Sequence, residues 1–542
     1  MPQSSNVPNG ASAAPKAKYN RPKPVVLAVI DGWGVAPHWG GNAVTLAKIP
    51  FMNKAMQEFP HTTLQASGEG VGLPPNERGN SEVGHLNIGA GQVVLQYFPS
   101  ITKAIQDKTF FSNEVILQGI NQAKQNGKRV HIIGLVSPGG IHSHIEHLYA
   151  LLEVAKQQQF TDVCIHAITD GRDTPPFVSQ EFLADVTTKT QELGVGSICT
   201  VSGRYYSMDR DHRWERVEKS YRAMVEGVGP TAATPEAAVA AAYRDGFSDE
   251  FIPPTVIQGP KNTFKPIMDG DTVIFFNFRG DRAREITQAL MKPNFEGFDR
   301  KKSVSNLYFV GFTYYEEGLP IHVAFRPHNV KKSLSGVISD AGMRQLHVAE
   351  SEKYAHVTYF FNGGNEQPVK GEDRIVIPSP HVPSFDQVPE MSTVQIADTV
   401  IQNINRYDFI VLNFACPDMV GHTGNLRAAI QSCEAVDANL NKIAQAVAQA
   451  GGIFAITADH GNVEQMVNPK TGEPDTEHTN NPVPFIVTGN AVVNCQLRSG
   501  GILSDVAPTL LHILNIPKPA EMTGSSLLVV QPQVARSAAS TL

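Results

Sequence analysis

Apolar residues in this chain come in short unbroken blocks rather than in long amphipathic stripes. Val25–Ile30 is such a block, six aliphatic residues ending at Asp31-Gly32. Aliphatic and β-branched residues without polar interruption predict a strand covered on both faces, as in a parallel sheet. Blocks of the same kind recur at Val130–Val136, Val163–Thr169, Thr272–Phe276, Leu307–Phe312, Phe409–Phe414 and Ile453–Thr457. Beside them lie helix-like stretches at Ile145–Gln158, Gln180–Leu193, Asn425–Gln449 and Asp505–Leu514. Alternating strands and helices predict an α/β chain. Residues 1–24 and 532–542 carry no periodicity and read as loose tails.

Composition narrows the class. The 542 residues are 41% hydrophobic and 18% charged, which supports a substantial core and excludes a disordered chain. The net charge of -7 argues against a nucleic-acid surface while leaving room for a local basic pocket. Five cysteines, at positions 164, 199, 416, 433 and 495, form no C-x-x-C pair, so neither a disulfide scaffold nor a zinc knuckle is expected. No run of apolar residues is long enough for a membrane span, and no signal-peptide core precedes Lys23. The expectation is a cytoplasmic protein.

Candidate metal ligands sit near the ends of predicted elements. Asp31 closes a buried strand, where open α/β folds place their ligands; before Gly32 it equally suits a plain turn. Asp418 and His422, in Pro417-Asp418-Met419-Val420-Gly421-His422, share one face if a helix starts after Pro417. Asp459 and His460 follow the block at 453–457, and His478 lies in a segment of loop composition. Three aspartates and three histidines can furnish two transition-metal sites once a nucleophile or water completes them. Mixed carboxylate and imidazole ligation suits manganese, cobalt or zinc better than magnesium.

Gly79-Asn80-Ser81-Glu82-Val83-Gly84-His85 places a serine where a loop enters a helix. Ser81 reads either as a helix cap or as a nucleophile whose hydroxyl is acidified by a metal. On the same segment His85 reads as structural.

Taken together, Asp31-Gly32-Trp33-Gly34, the segment around Ser81, Pro417–Gly424 and Thr457-Ala458-Asp459-His460-Gly461-Asn462 resemble the cofactor-independent phosphoglycerate mutases of the alkaline-phosphatase-like metalloenzymes. The resemblance runs from Val26 to about Leu514. It implies an α/β fold with a discontinuous metal domain (25–95 and 328–531) and an inserted α/β substrate-binding domain (98–325). It implies Asp418, His422 and His478 at one metal, and Asp31, Ser81, Asp459 and His460 at the other. Two divalent ions follow, manganese first with cobalt, magnesium or zinc as alternatives, and no bisphosphoglycerate cofactor. Ser81 becomes the phosphoryl acceptor, and Lys353 joins the charge network between substrate and metals.

The region between these clusters offers anion-binding groups. They are His142 in a Gly-rich and therefore exposed segment, Arg172 and Asp173 after the block at 163–169, Arg204 and Arg210, and Arg279 and Arg282. Arginine forks suit carboxylate and phosphate. Taken alone, each of these also suits a surface ion pair; the resemblance makes all seven substrate contacts, with Asp173 assisting proton transfer. Gly280, Cys416 and Tyr97–Ser100 depart from the commonest family pattern without removing a ligand. The implied activity is interconversion of 3-phosphoglycerate and 2-phosphoglycerate through phosphoserine, by a monomer acting on small molecules, with no nucleic-acid or membrane partner. A metal-dependent phosphomonoester hydrolase and a non-catalytic metal-stabilised protein are the alternatives.

Overall fold

The computed structural model describes residues 21–259, 264–326 and 330–529. The tails expected at 1–24 and 532–542 therefore lie outside the described residues, except for 21–24. Within that stretch Lys23 pairs with Asp408 at 2.8 Å, and the Pro24 carbonyl accepts from the Ile453 amide at 2.9 Å. The chain divides into two compact units, Met1–Val94 with Asn329–Leu542, and Leu95–His328. Among the described residues no helix is long and apolar enough to cross a membrane.

The first unit is built on an eight-stranded sheet. Its strands run in the order Glu372–Ile377, Gln345–Glu350, Phe409–Phe414, Val25–Ile30, Ile453–Ala458, Val483–Thr488, His61–Gln65 and Gly501–Ile502. Val25–Ile30 is parallel to both neighbours, and Ile30 stands opposite Phe414 and Ala458. All residues of these three strands are buried. Each large aliphatic side chain so buried contributes about 1.5–3 kcal/mol. The shared register has a chemical consequence: Asp31 and Asp459, each one residue beyond Ile30 or Ala458, emerge side by side at the carboxyl edge of the sheet.

Strand Gln345–Glu350 escapes the apolar-block criterion because it buries three polar side chains. Each has its own partner: Gln345 Nε2 donates to the Ser335 carbonyl at 2.9 Å, His347 Nδ1 meets the Val357 carbonyl at 2.6 Å, and Glu350 accepts from the Ser392 amide at 3.0 Å.

The second unit has its own eight-stranded sheet, in the order His322–Val323, Tyr308–Gly311, Thr272–Phe275, Val130–Leu135, Val163–Thr169, Ser197–Gly203, Thr255–Ile257 and Thr231–Ala232. Thr169 lies opposite Gly203, so Asp170 and Arg204 leave neighbouring parallel strands together. Helices Ile145–Gln157 and Ser179–Leu193 fall within a residue of expectation. Tyr97–Ser100 opens the helix Tyr97–Gln106, with Pro99 in the first turn where its missing N–H costs no hydrogen bond.

Candidate metal centre and anion-binding set

In the first unit the expected ligands arrive from separate segments. Asp31 and Asp459 follow the central strands, and Asp418 sits in the short helix Cys416–Gly421 that follows Phe409–Phe414. His422 ends that helix, and Lys353 ends the turn Ser351–Lys353 after Gln345–Glu350. Ser81 is the first residue of the helix Ser81–Ala90, not its cap: Asn80 caps it by accepting from the Val83 amide at 2.9 Å. The serine hydroxyl is thereby left free for other partners, at the positive end of the helix dipole.

Two clusters result. His422 Nε2 lies 3.3 Å and His478 Nε2 3.2 Å from Asp418 Oδ1, and the two Nε2 atoms are 3.1 Å apart. Their Nδ1 atoms face the Thr476 and Gly79 carbonyls, each at 2.8 Å. A carbonyl can only accept, which assigns the ring protons to Nδ1 and turns two imidazole lone pairs and a carboxylate oxygen on one point. Such a donor set fits a divalent cation. In the second cluster Ser81 Oγ is 3.0 Å from both Asp31 Oδ1 and His460 Nε2. Asp459 Oδ1 accepts from the Gly32 and His460 amides, whereas its buried Oδ2 has no hydrogen bond. Lys353 Nζ lies 2.7 Å from each of Asp31 Oδ1, Asp418 Oδ2 and Ser81 Oγ. An ammonium thus occupies a position ringed by oxygens, as a cation would.

In the second unit Arg204 is almost fully buried, and its Nη1 donates to Asp170 Oδ1 and Asp173 Oδ2, each at 2.7 Å. Asp170 Oδ1 also accepts from the Arg172 and Asp173 amides, while its Oδ2 accepts from Ser137 Oγ. Arg282 donates to the Met208 carbonyl, Arg210 reaches Asp281, and Arg172 reaches Glu250. His142, expected to be exposed, is 4% exposed, and its carbonyl accepts from the Phe278 amide at 2.7 Å. Its Nδ1 lies 3.8 Å from Asp281 Oδ1, and neither atom has a hydrogen bond. Arg279 is exposed nearby.

Residues 101–317 match the family model for the N-terminal part of BPG-independent PGAM. A 2,3-bisphosphoglycerate-independent phosphoglycerate mutase of Moorella thermoacetica is 48% identical over 507 residues, covering 94% of this chain and 98% of that one. Its counterpart in Chloroflexus aggregans is 50% identical over 535 residues, covering 94% and 99%. The crystal structure of Leishmania mexicana phosphoglycerate mutase at low cobalt concentration is 31% identical, with a TM-score of 0.61 and coverage of 95% and 99%. The chain belongs to the 2,3-bisphosphoglycerate-independent phosphoglycerate mutase family. It is an enzyme of that class, with the two-sheet α/β architecture the apolar blocks imply.

In this mutase the buried charges of each set shift one another. Burial is the largest single influence on Asp31 and raises its pKa, but the Lys353 ammonium and His460 together outweigh it and hold the group well below the carboxylate range. Asp418 is lowered in the same way. Burial works against charge on His460, yet Asp459, Asp31 and Asp418 push it up to about 10. The centre therefore gathers positive charge even from its own side chains. In the second unit burial and Arg204 bring His142 down to about 4. Arg282 is lowered by burial and by Arg210, Arg204 and Arg172, the mark of cations converging without enough counter-charge.

At the metal centre Asn413 and Asn462 escaped the sequence reading, and His85 was read there only as structural. His85 Nδ1 is 3.1 Å from Asp459 Oδ2 and 2.9 Å from the Ser81 carbonyl. Asn413 donates to Asp31 Oδ2 at 2.7 Å, and Asn462 to Asp418 Oδ1 at 3.0 Å. Donor atoms of Asp31, His85 and Asp459 lie within 4.8 Å of one another, as do those of Asp418, His422 and His478 and those of Asp31, Asp418 and His460. The available signals were a histidine one helical turn after Ser81 and an asparagine inside the apolar block at 409–414. Asp170 and Asp281 were missed likewise in the second unit.

Proposed function

We propose that this chain interconverts 3-phosphoglycerate and 2-phosphoglycerate by way of phosphoserine at Ser81, and that Asp418, His422 and His478 hold one divalent cation while Asp31, Ser81, Asp459 and His460 hold another. The observation that carries the reading is the convergence of two imidazole lone pairs and a carboxylate beside a serine hydroxyl held by Asp31, His460 and Lys353. Bound divalent cations, manganese first for this Asp and His donor set, would supply positive charge that acidifies the serine hydroxyl and screens the phosphoryl oxygens.

The chain's own residues do the rest. Asp31 Oδ1 accepts the Ser81 hydrogen bond and Lys353 donates to the oxygen as it gains charge, the serine proton passing through solvent to the departing glycerate oxygen. Ser81 Oγ forms the new bond to phosphorus, the phosphorus bond to the glycerate oxygen breaks, and that oxygen takes a proton. Arg172, Arg204, Arg210, Arg279, Arg282 and His142 hold the carboxylate and phosphate of the same substrate molecule. The other glycerate hydroxyl then attacks phosphoserine, with Asp173 handling its proton, and Ser81 is regenerated. Holding glycerate throughout keeps water from intercepting the phosphoryl group. The chain acts as a monomer in this reading, and its five free thiols suit a reducing compartment such as the cytoplasm.

A coupled assay with either isomer, after chelation and addition of Mn2+, together with a free-phosphate measurement, tests this reading. Isomer exchange with little phosphate release is expected, and Ser81→Ala abolishes both exchange and phosphoenzyme. Stoichiometric phosphate release would assign hydrolysis instead, and full turnover of the Ser81→Ala protein would remove the nucleophile.

A further inference from the structure

Glu464 stands outside both ligand sets, yet its fully buried side chain reaches the segments that carry them. Oε2 accepts from the Gly34 amide at 2.9 Å and the Asn462 amide at 2.8 Å. Oε1 accepts from Asn481 Nδ2 at 2.9 Å and from Thr479 Oγ1. These donors lie just beyond Asp31, His460 and His478 in the chain. Asn462, gripped through its backbone, passes its side-chain amide to Asp418 Oδ1 at 3.0 Å. One carboxylate thus connects four of the five ligand-bearing segments, all but that of Ser81. The surrounding backbone is shaped to admit it: a Cβ at Gly34 or at Gly461 would run into the Glu464 carboxylate.

Burying a carboxylate costs several kcal/mol unless its lone pairs are satisfied, and here four neutral donors satisfy them. We propose that Glu464 is the positioning residue of the metal centre: it holds Asp31, Asp418, His460 and His478 at ligand spacing by clamping the segments that carry them. This rests on the metal-centre reading above. A mere loop staple would affect folding alone, whereas a positioning residue sets the affinity for the ion.

The test is titration of Mn2+ into chelator-stripped full-length protein by calorimetry, with thermal unfolding of the same metal-free samples. Glu464→Gln keeps the shape but removes the charge, and with its carbonyl oxygen facing the Gly34 and Asn462 amides its nitrogen forces Thr479 and Asn481 to turn and accept. Its Mn2+ Kd rises about 10–100-fold, as for the loss of outer-sphere partners elsewhere. Thr479→Val, which removes a single donor, is the milder variant and decides the matter if Glu464→Gln does not fold; its Kd rises about 3-fold or more. A Kd within about twofold of the unsubstituted protein in the folded variants overturns the proposal, whatever happens to their melting temperatures. Unsubstituted protein that takes up no Mn2+ overturns the metal-centre reading itself, and the clamp with it.

Discussion

Lys353→Met separates the two roles of the lysine. The substitution keeps most of the stem and deletes the ammonium, which lies 2.7 Å from Asp31 Oδ1, Asp418 Oδ2 and Ser81 Oγ and is 5% exposed. Removing one partner of a buried ion pair costs about 3–5 kcal/mol, because the remaining charge loses its compensation. Here one ammonium serves two carboxylates, so the upper end, about 5 kcal/mol, applies to the metal-free protein. At about 2 °C per kcal/mol for a unit of this size, the melting temperature in chelator falls by about 10 °C. Saturating Mn2+ would place positive charge among the same carboxylates, so the deficit shrinks when the scan is repeated with the metal. Activity does not recover in step, because the donor to Ser81 Oγ is gone; kcat falls about 100–1000-fold, as when a single transition-state donor is removed. Calorimetric scans of the full chain with chelator and with Mn2+, beside the coupled assay, provide both readings. The same melting deficit in both conditions, or an unchanged kcat, would refute the charge argument.

Two further predictions concern packing and pH. A Cβ at Gly84 would stand 2.5 Å from the Asp459 carbonyl oxygen and 2.7 Å from Asp459 Cβ, so Gly84→Ala pushes the Ser81 helix away from its partners. The expected result is a loss of about 1–3 kcal/mol in denaturant unfolding and of about 100-fold in kcat from misplacement of the nucleophile; normal kinetics would show that the approach is not needed. His131, His147 and His166 are buried in the second unit, and burial lowers all three pKa values, that of His147 to about 3. The unfolded chain therefore takes up protons first. The stability of the neutral state is complete above the ordinary histidine value of about 6.5 and is lost as pH falls from there toward the folded pKa, about 2 kcal/mol for His147 at pH 5. Urea midpoints at pH 7.5 and 5 check this, with His147→Gln reducing the difference; equal midpoints would contradict it.

The parts of this protein legible in its sequence are those whose signal is local. Unbroken apolar blocks such as Val25–Ile30 and Phe409–Phe414 announce strands buried on both faces, because no polar side chain has to be accommodated there. The motifs around Asp31, Ser81, Asp418 and Asp459 announce the family because their chemistry constrains residue type at fixed spacing. Gln345–Glu350 was not legible, since its buried polar residues are satisfied by partners distant in sequence.

The tertiary structure alone settled how these pieces meet. Asp31 and Asp459 are more than four hundred residues apart, and only the register of Ile30 with Ala458 sets them side by side. Asn80 rather than Ser81 caps the helix, which hydrogen bonding and not composition decides. His85, Asn413 and Glu464 gain their significance from groups that share no local pattern with them. By itself the sequence determined which elements form and which chemistry they carry, because hydrophobic periodicity and ligand type are properties of short segments. Distances, shared protons and buried charge balance belong to the fold, because they depend on which segments the sheets bring together.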